Sequence, residues 1–237
     1  MDYENILKKY FDSIYTEVDF VKKTYAVLKE LGFSDENSIA SVCICRDEIS
    51  QSLRSVIKHI WGEAFNLSSL GGMFFAGQTG LAAAMHHAPN VNGRERYVYF
   101  ALPHIAIDKD GRLGACMRTG REEESTACGA LCAFQKEMTT GSLNLSMDDI
   151  DLEQSLLKRR LLREIPYGHI PDLLELTKIT QRVIQKDLEH AINTIIDKAK
   201  SDYALLTGIQ IHGPDTNYVG NVSGYVVVNN VREEIKF

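Results

Sequence analysis

From Tyr97 to the end of the run Glu95 to Leu102 (ERYVYFAL), every side chain on both alternating faces is apolar or aromatic. A strand with one wet face alternates apolar and polar residues, whereas a run without alternation belongs to a strand covered on both sides. Covering both sides of a sheet takes helices, so this segment directs the chain toward an α/β architecture. A second run, Ile39 to Cys45 (IASVCIC), is short, small and β-branched and reads as another buried strand. The predicted fold is a mixed, mainly parallel β-sheet flanked by helices, with amino-terminal and late helical segments.

Along the leader, 1–31, apolar side chains fall at Ile6, Leu7, Tyr10, Phe11, Ile14, Val18, Val21, Tyr25 and Leu28. Spacings of mostly three or four predict one or two amphipathic helices, which Gly32 ends. Arg46-Asp47-Glu48 places acids at the start of a helix reaching about Trp61, where the helix dipole favours them. In Leu70 to Ala84 (LGGMFFAGQTGLAAA), four glycines among Phe, Met and Ala predict backbone running close against another segment, then a small-residue helix. Pro103 ends the central strand and His104 follows at once. A turn at Lys109-Asp110-Gly111 leads into a short strand, Arg112 to Arg118. Ser125-Thr126 offers a cap for a helix beginning around Ala127. Met147 to Lys200 is helical in pattern, broken by Pro166 and Pro171, and Leu205 to His212 and Gly224 to Val231 close the chain as strands. With no repeat or low-complexity linker, 1–237 reads as one domain.

Composition removes several classes of function. Thirty-two acidic against twenty-six basic residues give a net charge of −6, and no dense Lys/Arg stripe is present, which argues against nucleic acid as a partner. No apolar run reaches the length of a membrane span, and the opening MDYENILKKYFD has early acids where a secretory signal would be apolar. Five cysteines, an odd count, fit a reduced, cytoplasmic protein with thiols free for metal or catalysis better than a disulfide framework.

Cys45, His104 and Cys128 share one kind of place: the end of a strand or the start of a helix. Ligands gather at such points in open α/β sheets. Two thiolates and an imidazole make a catalytic zinc set with the fourth position left for water, although buried cysteines and strand-end histidines also occur for packing alone. Asp47, two positions after Cys45, is placed to accept a hydrogen bond from that water. A carboxylate in this role must be held ionised, which an arginine does best through its fork. Arg54, seven residues along the predicted helix, returns to about the same face as Asp47; Arg46 fits less well because adjacent side chains diverge.

CRDE (Cys45 to Glu48), SSLGGMFFAGQTG (Ser68 to Gly80), RERYVYFALPHIAI (Arg94 to Ile107) and STACGAL (Ser125 to Leu131) resemble the low-CO2-inducible LCIB/LCIC proteins of algae and their bacterial relatives. LLTGIQIHG (Leu205 to Gly213) adds a later match. That family is regarded as a divergent, β-like (theta) carbonic anhydrase group. The resemblance implies a β-carbonic-anhydrase-like fold, zinc held by Cys45, His104 and Cys128, and Asp47 with an arginine as the working dyad. Two departures from ordinary β-carbonic anhydrases are visible: Ile49 stands where Cys-x-Asp-x-Arg has its arginine, and His104 and Cys128 are far apart rather than three residues apart.

The expected reaction is the reversible hydration of CO2 to bicarbonate and a proton by zinc-bound hydroxide. A small apolar substrate needs an apolar wall, for which Phe74 and Phe75 are the candidates, and His86 or His87 is a candidate proton relay. Cys43, Cys116 and Cys132 read as core. Two other readings remain open: a cysteine hydrolase with Cys128 as nucleophile and His104 as base, and a catalytically silent zinc-binding sensor or scaffold for inorganic carbon, with Asp47 closing the metal site. A zinc deaminase is disfavoured, since its His-x-Glu and Pro-Cys-x-x-Cys signatures are missing. The amphipathic leader and the resemblance together suggest a homodimer.

Overall fold

The computed structural model describes residues 3–237; Met1 and Asp2, at the head of the expected leader, lie outside the described residues. The helices are α1 (Tyr3–Leu7), α2 (Glu17–Glu30), α3 (Gln51–Trp61), α4 (Gly77–Met85), α5 (Gly129–Thr140), α6 (Leu152–Leu162) and α7 (Leu173–Ile195). The strands are β1 (Ile14–Thr16), β2 (Ser38–Ile44), β3 (Ala64–Asn66), β4 (Asn90–Val91), β5 (Arg94–Leu102), β6 (His104–Ala106), β7 (Ala115–Cys116), β8 (Ser125–Thr126), β9 (Ser201–His212), β10 (Asn217–Val228) and β11 (Val231–Glu234). None of the helices is long and apolar enough to cross a membrane.

Nine strands form one sheet with the path β1-β10-β9-β5-β2-β3. β9, β5, β2 and β3 pair in parallel, whereas β10 joins β9, and β1 joins β10, in antiparallel fashion. The mixed, mainly parallel sheet expected from the sequence is therefore present. β5 lies at its centre, and its two faces feed two cores. Tyr97, Tyr99 and Ala101 pack with α4, α5, α6 and α7, while Val98, Phe100 and Leu102 pack with Phe20, Leu28, Leu53, Ile57 and Trp61 of α2 and α3. Each apolar side chain of the unalternating run thus has a partner layer, and burial of this kind stabilises by about 1.5–3 kcal/mol per large side chain.

The leader departs from its expected form. A break after α1 lets Ile14–Thr16 pair with Gly220, Val219 and Tyr218 as an edge strand, and α2 starts only at Glu17, capped by Thr16 Oγ1 accepting from the Asp19 amide at 3.1 Å. The late helical region breaks as predicted, and Asp172 caps α7 by accepting from the Glu175 amide at 2.8 Å. The central strand ends at Leu102, just before Pro103, as predicted. β5 stops pairing with β9 at Ala101↔Thr207, and β6 resumes in the same register at His104↔Gln210.

Gly72 accounts for the glycine-rich segment. Its φ is +76°, and a Cβ there would lie 2.8 Å from the Leu102 carbonyl oxygen and 3.3 Å from Pro103 Cα. The chain passes against the backbone that immediately precedes His104, as the glycines predicted, and only a residue without a side chain fits.

Candidate metal centre

The carboxyl ends of β2 and β5 bring the donors together. Cys45 follows β2 and bridges to Ser69, His104 opens β6, and Cys128 caps α5. One ligand atom from each lies within 4.8 Å of the others, and all three residues are buried. The Cys45 thiol is lowered to about 4, chiefly by the hydrogen bond from Cys128, with burial opposing and His104 assisting. Cys128 is pushed up by the same hydrogen bond and by burial. His104 Nε2 is buried without a hydrogen-bond partner and lies 4.0 Å from Asp47 Oδ2. Two thiols and an imidazole nitrogen without a hydrogen-bond partner suit zinc as three of its ligands.

Asp47 is held ionised by Arg118. Nη1 donates to Oδ1 at 2.7 Å and Nη2 to Oδ2 at 2.9 Å, and Nη1 also contacts Glu48. Burial opposes ionisation of Asp47, yet these hydrogen bonds and charges keep its carboxyl well below the usual range. Arg118 is itself fixed: Nε donates to Ser125 Oγ at 2.9 Å and Nη2 to the Thr126 carbonyl at 3.1 Å.

The arginine on Asp47 is therefore Arg118, and the expectation for Arg54 is corrected. Asp47 does not lie on α3. It sits in extended backbone (ψ 136°) before a short 3-10 turn at Glu48–Ser50, so the helical count from 47 to 54 does not apply. Ser125 caps no helix either; Ser125 and Thr126 form β8 against β7, and α5 begins at Gly129. The strand expected over Arg112 to Arg118 shrinks to Ala115–Cys116, with Arg118 just beyond its end. That position, ten residues before Cys128 and across a hairpin from Ser125, was the available signal for it.

A cleft of about 550 Å³ opens beside Asp47 and Cys128, walled on its apolar side by Leu70, Gly129 and Ala130. Phe74 and Phe75, expected as that wall, instead line a separate hollow with Leu156 and Ala191, against α6 and α7. They pack beyond the 3-10 turn Leu70–Gly72, which itself faces the cleft through Leu70. His87 packs on Phe65 at 5.5 Å in a further hollow beside Trp61, and neither it nor His86 lines the cleft. Cys43 is core: its thiol donates to the Gly72 carbonyl at 3.4 Å, and burial pushes it up to about 12.

One partner of the centre was not assigned from sequence. His212 ends β9 opposite Ala106, which puts it on the same sheet face as His104, two residues back. Its Nε2 lies 2.9 Å from His104 Nδ1. Burial, then the neighbouring His104, pushes His212 down to about 3, so its ring is neutral.

The profile of the limiting CO2-inducible proteins B/C beta carbonic anhydrases matches residues 14–232. The chain belongs to this family. The LCIB/LCIC resemblance in the sequence is thereby confirmed over nearly its whole length. Among solved structures, limiting CO2-inducible protein LCIB is 35% identical, with 96% of each chain covered and a TM-score of 0.81. PtLCIB4, a homolog of LCIB, is 21% identical over 98% of this chain and 99% of its own, with a TM-score of 0.85, and so shares the LCIB fold. No curated protein matches the chain.

Proposed function

We propose that this LCIB/LCIC-family chain is a zinc-dependent carbonic anhydrase, converting CO2 and water reversibly to bicarbonate and a proton. The observation that carries the reading is the two-pronged Asp47–Arg118 pair standing 4.0 Å from the bare His104 Nε2, within reach of two buried sulfurs. Cys45, His104 and Cys128 would hold the zinc, which when bound acidifies a water enough to supply hydroxide near neutral pH.

The chain's own residues do the rest. Held ionised, Asp47 can only accept hydrogen bonds, so a water beside it turns its hydrogen to the carboxylate and a lone pair to the cleft. Arg118 keeps that carboxylate charged and bonds both of its oxygens, so Asp47 could ligate a metal only by sharing an oxygen with the guanidinium. This favours the open site over the silent sensor with Asp47 as ligand. Leu70, Gly129 and Ala130 offer CO2 an apolar surface next to the donors. The hydrolase reading is weakened, because Cys128 is the thiol pushed up rather than activated and His104 Nδ1 is already committed to His212.

Stopped-flow CO2 hydration on protein of known metal content tests the proposal. About one zinc per chain is expected, and Cys45→Ser should lose both the zinc and the activity. A zinc-replete wild type that hydrates CO2 no faster than buffer would overturn it.

A further inference from the structure

Four further residues run on from His104, and none belongs to the donor set: His212, Asn217 and Ser52 line a cleft of about 590 Å³, with Glu17 buried beside them. His212 Nδ1 lies 3.3 Å from Asn217 Oδ1. Asn217 Nδ2 donates to Ser52 Oγ at 2.9 Å, and Ser52 Oγ donates to Glu17 Oε1 at 3.0 Å. Gln210 Nε2 donates to the same Glu17 oxygen at 2.6 Å. Glu17 is 6% exposed and is the buried end of this series.

The direction of every hydrogen follows from that end. Burial raises the Glu17 carboxyl, but Gln210 Nε2 and Ser52 Oγ converge on its Oε1 and favour the charged form. A carboxylate accepts only, so the Ser52 hydroxyl hydrogen points to Glu17, in preference to the Ile49 carbonyl at 3.3 Å. Ser52 Oγ must then accept from Asn217, which commits the amide nitrogen to Ser52 and the amide oxygen to His212. His212 is 6% exposed and bonded to His104 and the Asn217 amide rather than to a carboxylate, so nothing there compensates a buried charge. Its hydrogen sits on Nδ1 to meet that oxygen, and Nε2 is bare. His104 must supply the hydrogen between the two rings, from Nδ1. Its Nε2 is left unprotonated, facing Asp47 and the sulfurs.

We propose that Glu17 is a positioning residue for the metal centre: through Ser52, Asn217 and His212 it holds His104 in the tautomer whose Nε2 can bind a metal. Metal-bound histidines generally have their other ring nitrogen fixed by an acceptor; here the acceptor is a second histidine whose own tautomer is set by a carboxylate three residues along the series. The inference rests on the metal reading above.

Nitrogen-resolved NMR of the histidine rings in metal-free wild type gives the direct readout. His104 is expected to carry its proton on Nδ1; a proton on Nε2 overturns the proposal. Zinc affinity, from competition with a chromophoric chelator, gives the second. Glu17→Gln, which can donate as well as accept, should bind zinc roughly 10–100-fold more weakly, and Ser52→Ala, which cuts the series without touching a charge, should weaken it too. Adding Asn217→Asp to Glu17→Gln puts an acceptor-only group directly on His212 and should restore affinity, a rescue that a merely structural role for Glu17 would not give. Unchanged affinity in folded Glu17→Gln and Ser52→Ala overturns the proposal. If Glu17→Gln fails to fold, Ser52→Ala and the wild-type spectrum decide. A wild type that takes up no zinc removes the function proposed above, while the tautomer spectrum still decides this inference.

Discussion

Arg118 reaches across 71 residues of sequence to grip both carboxylate oxygens of Asp47, at 2.7 and 2.9 Å. The pair is partly buried, with side-chain exposures of 16% and 12%, so water screens it less than a surface pair. Its consequence is chemical as well as structural: the carboxylate stays charged next to three donors suited to a cation.

Removing the fork should therefore cost turnover and spare metal. Arg118→Ala is expected to lower the CO2 hydration rate by about 10²–10³-fold, the range seen when a fixed donor is removed from an active site. Zinc content should stay at the wild-type value. Arg118→Lys should recover little, because an ammonium cannot span both oxygens, and Arg54→Ala should hydrate CO2 like the wild type. Stopped-flow assays of the three variants, with metal analysis, check this; a collapse in Arg54→Ala and not in Arg118→Ala would contradict it.

Metal removal should weaken the folded state. A ligand at a hundredfold excess over its dissociation constant stabilises by about 2.7 kcal/mol, which for a chain of this length is a change in Tm of about 5–10 °C. Chelator-treated wild type should melt lower by that amount, and Cys128→Ser should melt lower without chelator and respond to it no further. Differential scanning calorimetry distinguishes these outcomes from an unaltered Tm.

Gly72→Ala should damage the fold and the site together. The left-handed backbone costs about 1–2 kcal/mol for a residue with a Cβ, and the contact with Leu102 and Pro103 adds to it. Relief by moving Pro103 also moves His104, so zinc affinity should fall along with Tm. A variant with lowered Tm and wild-type affinity would show that the strain is relieved elsewhere.

Asp202 gives a pH signature remote from the site. It is 2% exposed and receives Arg94 Nε at 2.9 Å, with Arg96 at 3.7 Å. Burial raises its carboxyl, but Arg94, the Asn229 amide and Arg96 outweigh burial and hold it below the usual range. A carboxyl lowered on folding contributes stability above its unfolded value near 4, and loses it as pH falls toward the folded value. Asp202→Asn should unfold at lower temperature than wild type at about pH 7 and lose less on acidification to about pH 3. Parallel Tm-against-pH curves would contradict the assignment.

The donors were legible because each is flagged by local chemistry. Cys45 ends a β-branched run, Pro103 precedes His104, and Cys128 precedes a clear helix. The unalternating run at Tyr97 to Leu102 gave the parallel sheet for the same reason, since both its faces must be covered. What was misread depended on turns. A single 3-10 turn after Asp47 shifts the register of α3 and removes Arg54, and a three-residue edge strand at Ile14 carries too little pattern to separate it from a helix. Phe74 and Phe75 stand only a few residues beyond Leu70, and no sequence period says which side of a glycine turn faces the cleft. The link from His104 to Glu17 needs the β6–β9 register, which lies in pairing rather than in composition.

The hairpin of β7 and β8 ties Arg118 to Ser125 and Thr126, and Cys128 follows two residues after Thr126. The guanidinium and the second sulfur therefore ride on one ribbon of chain. Any excursion that lifted this ribbon would withdraw both at once.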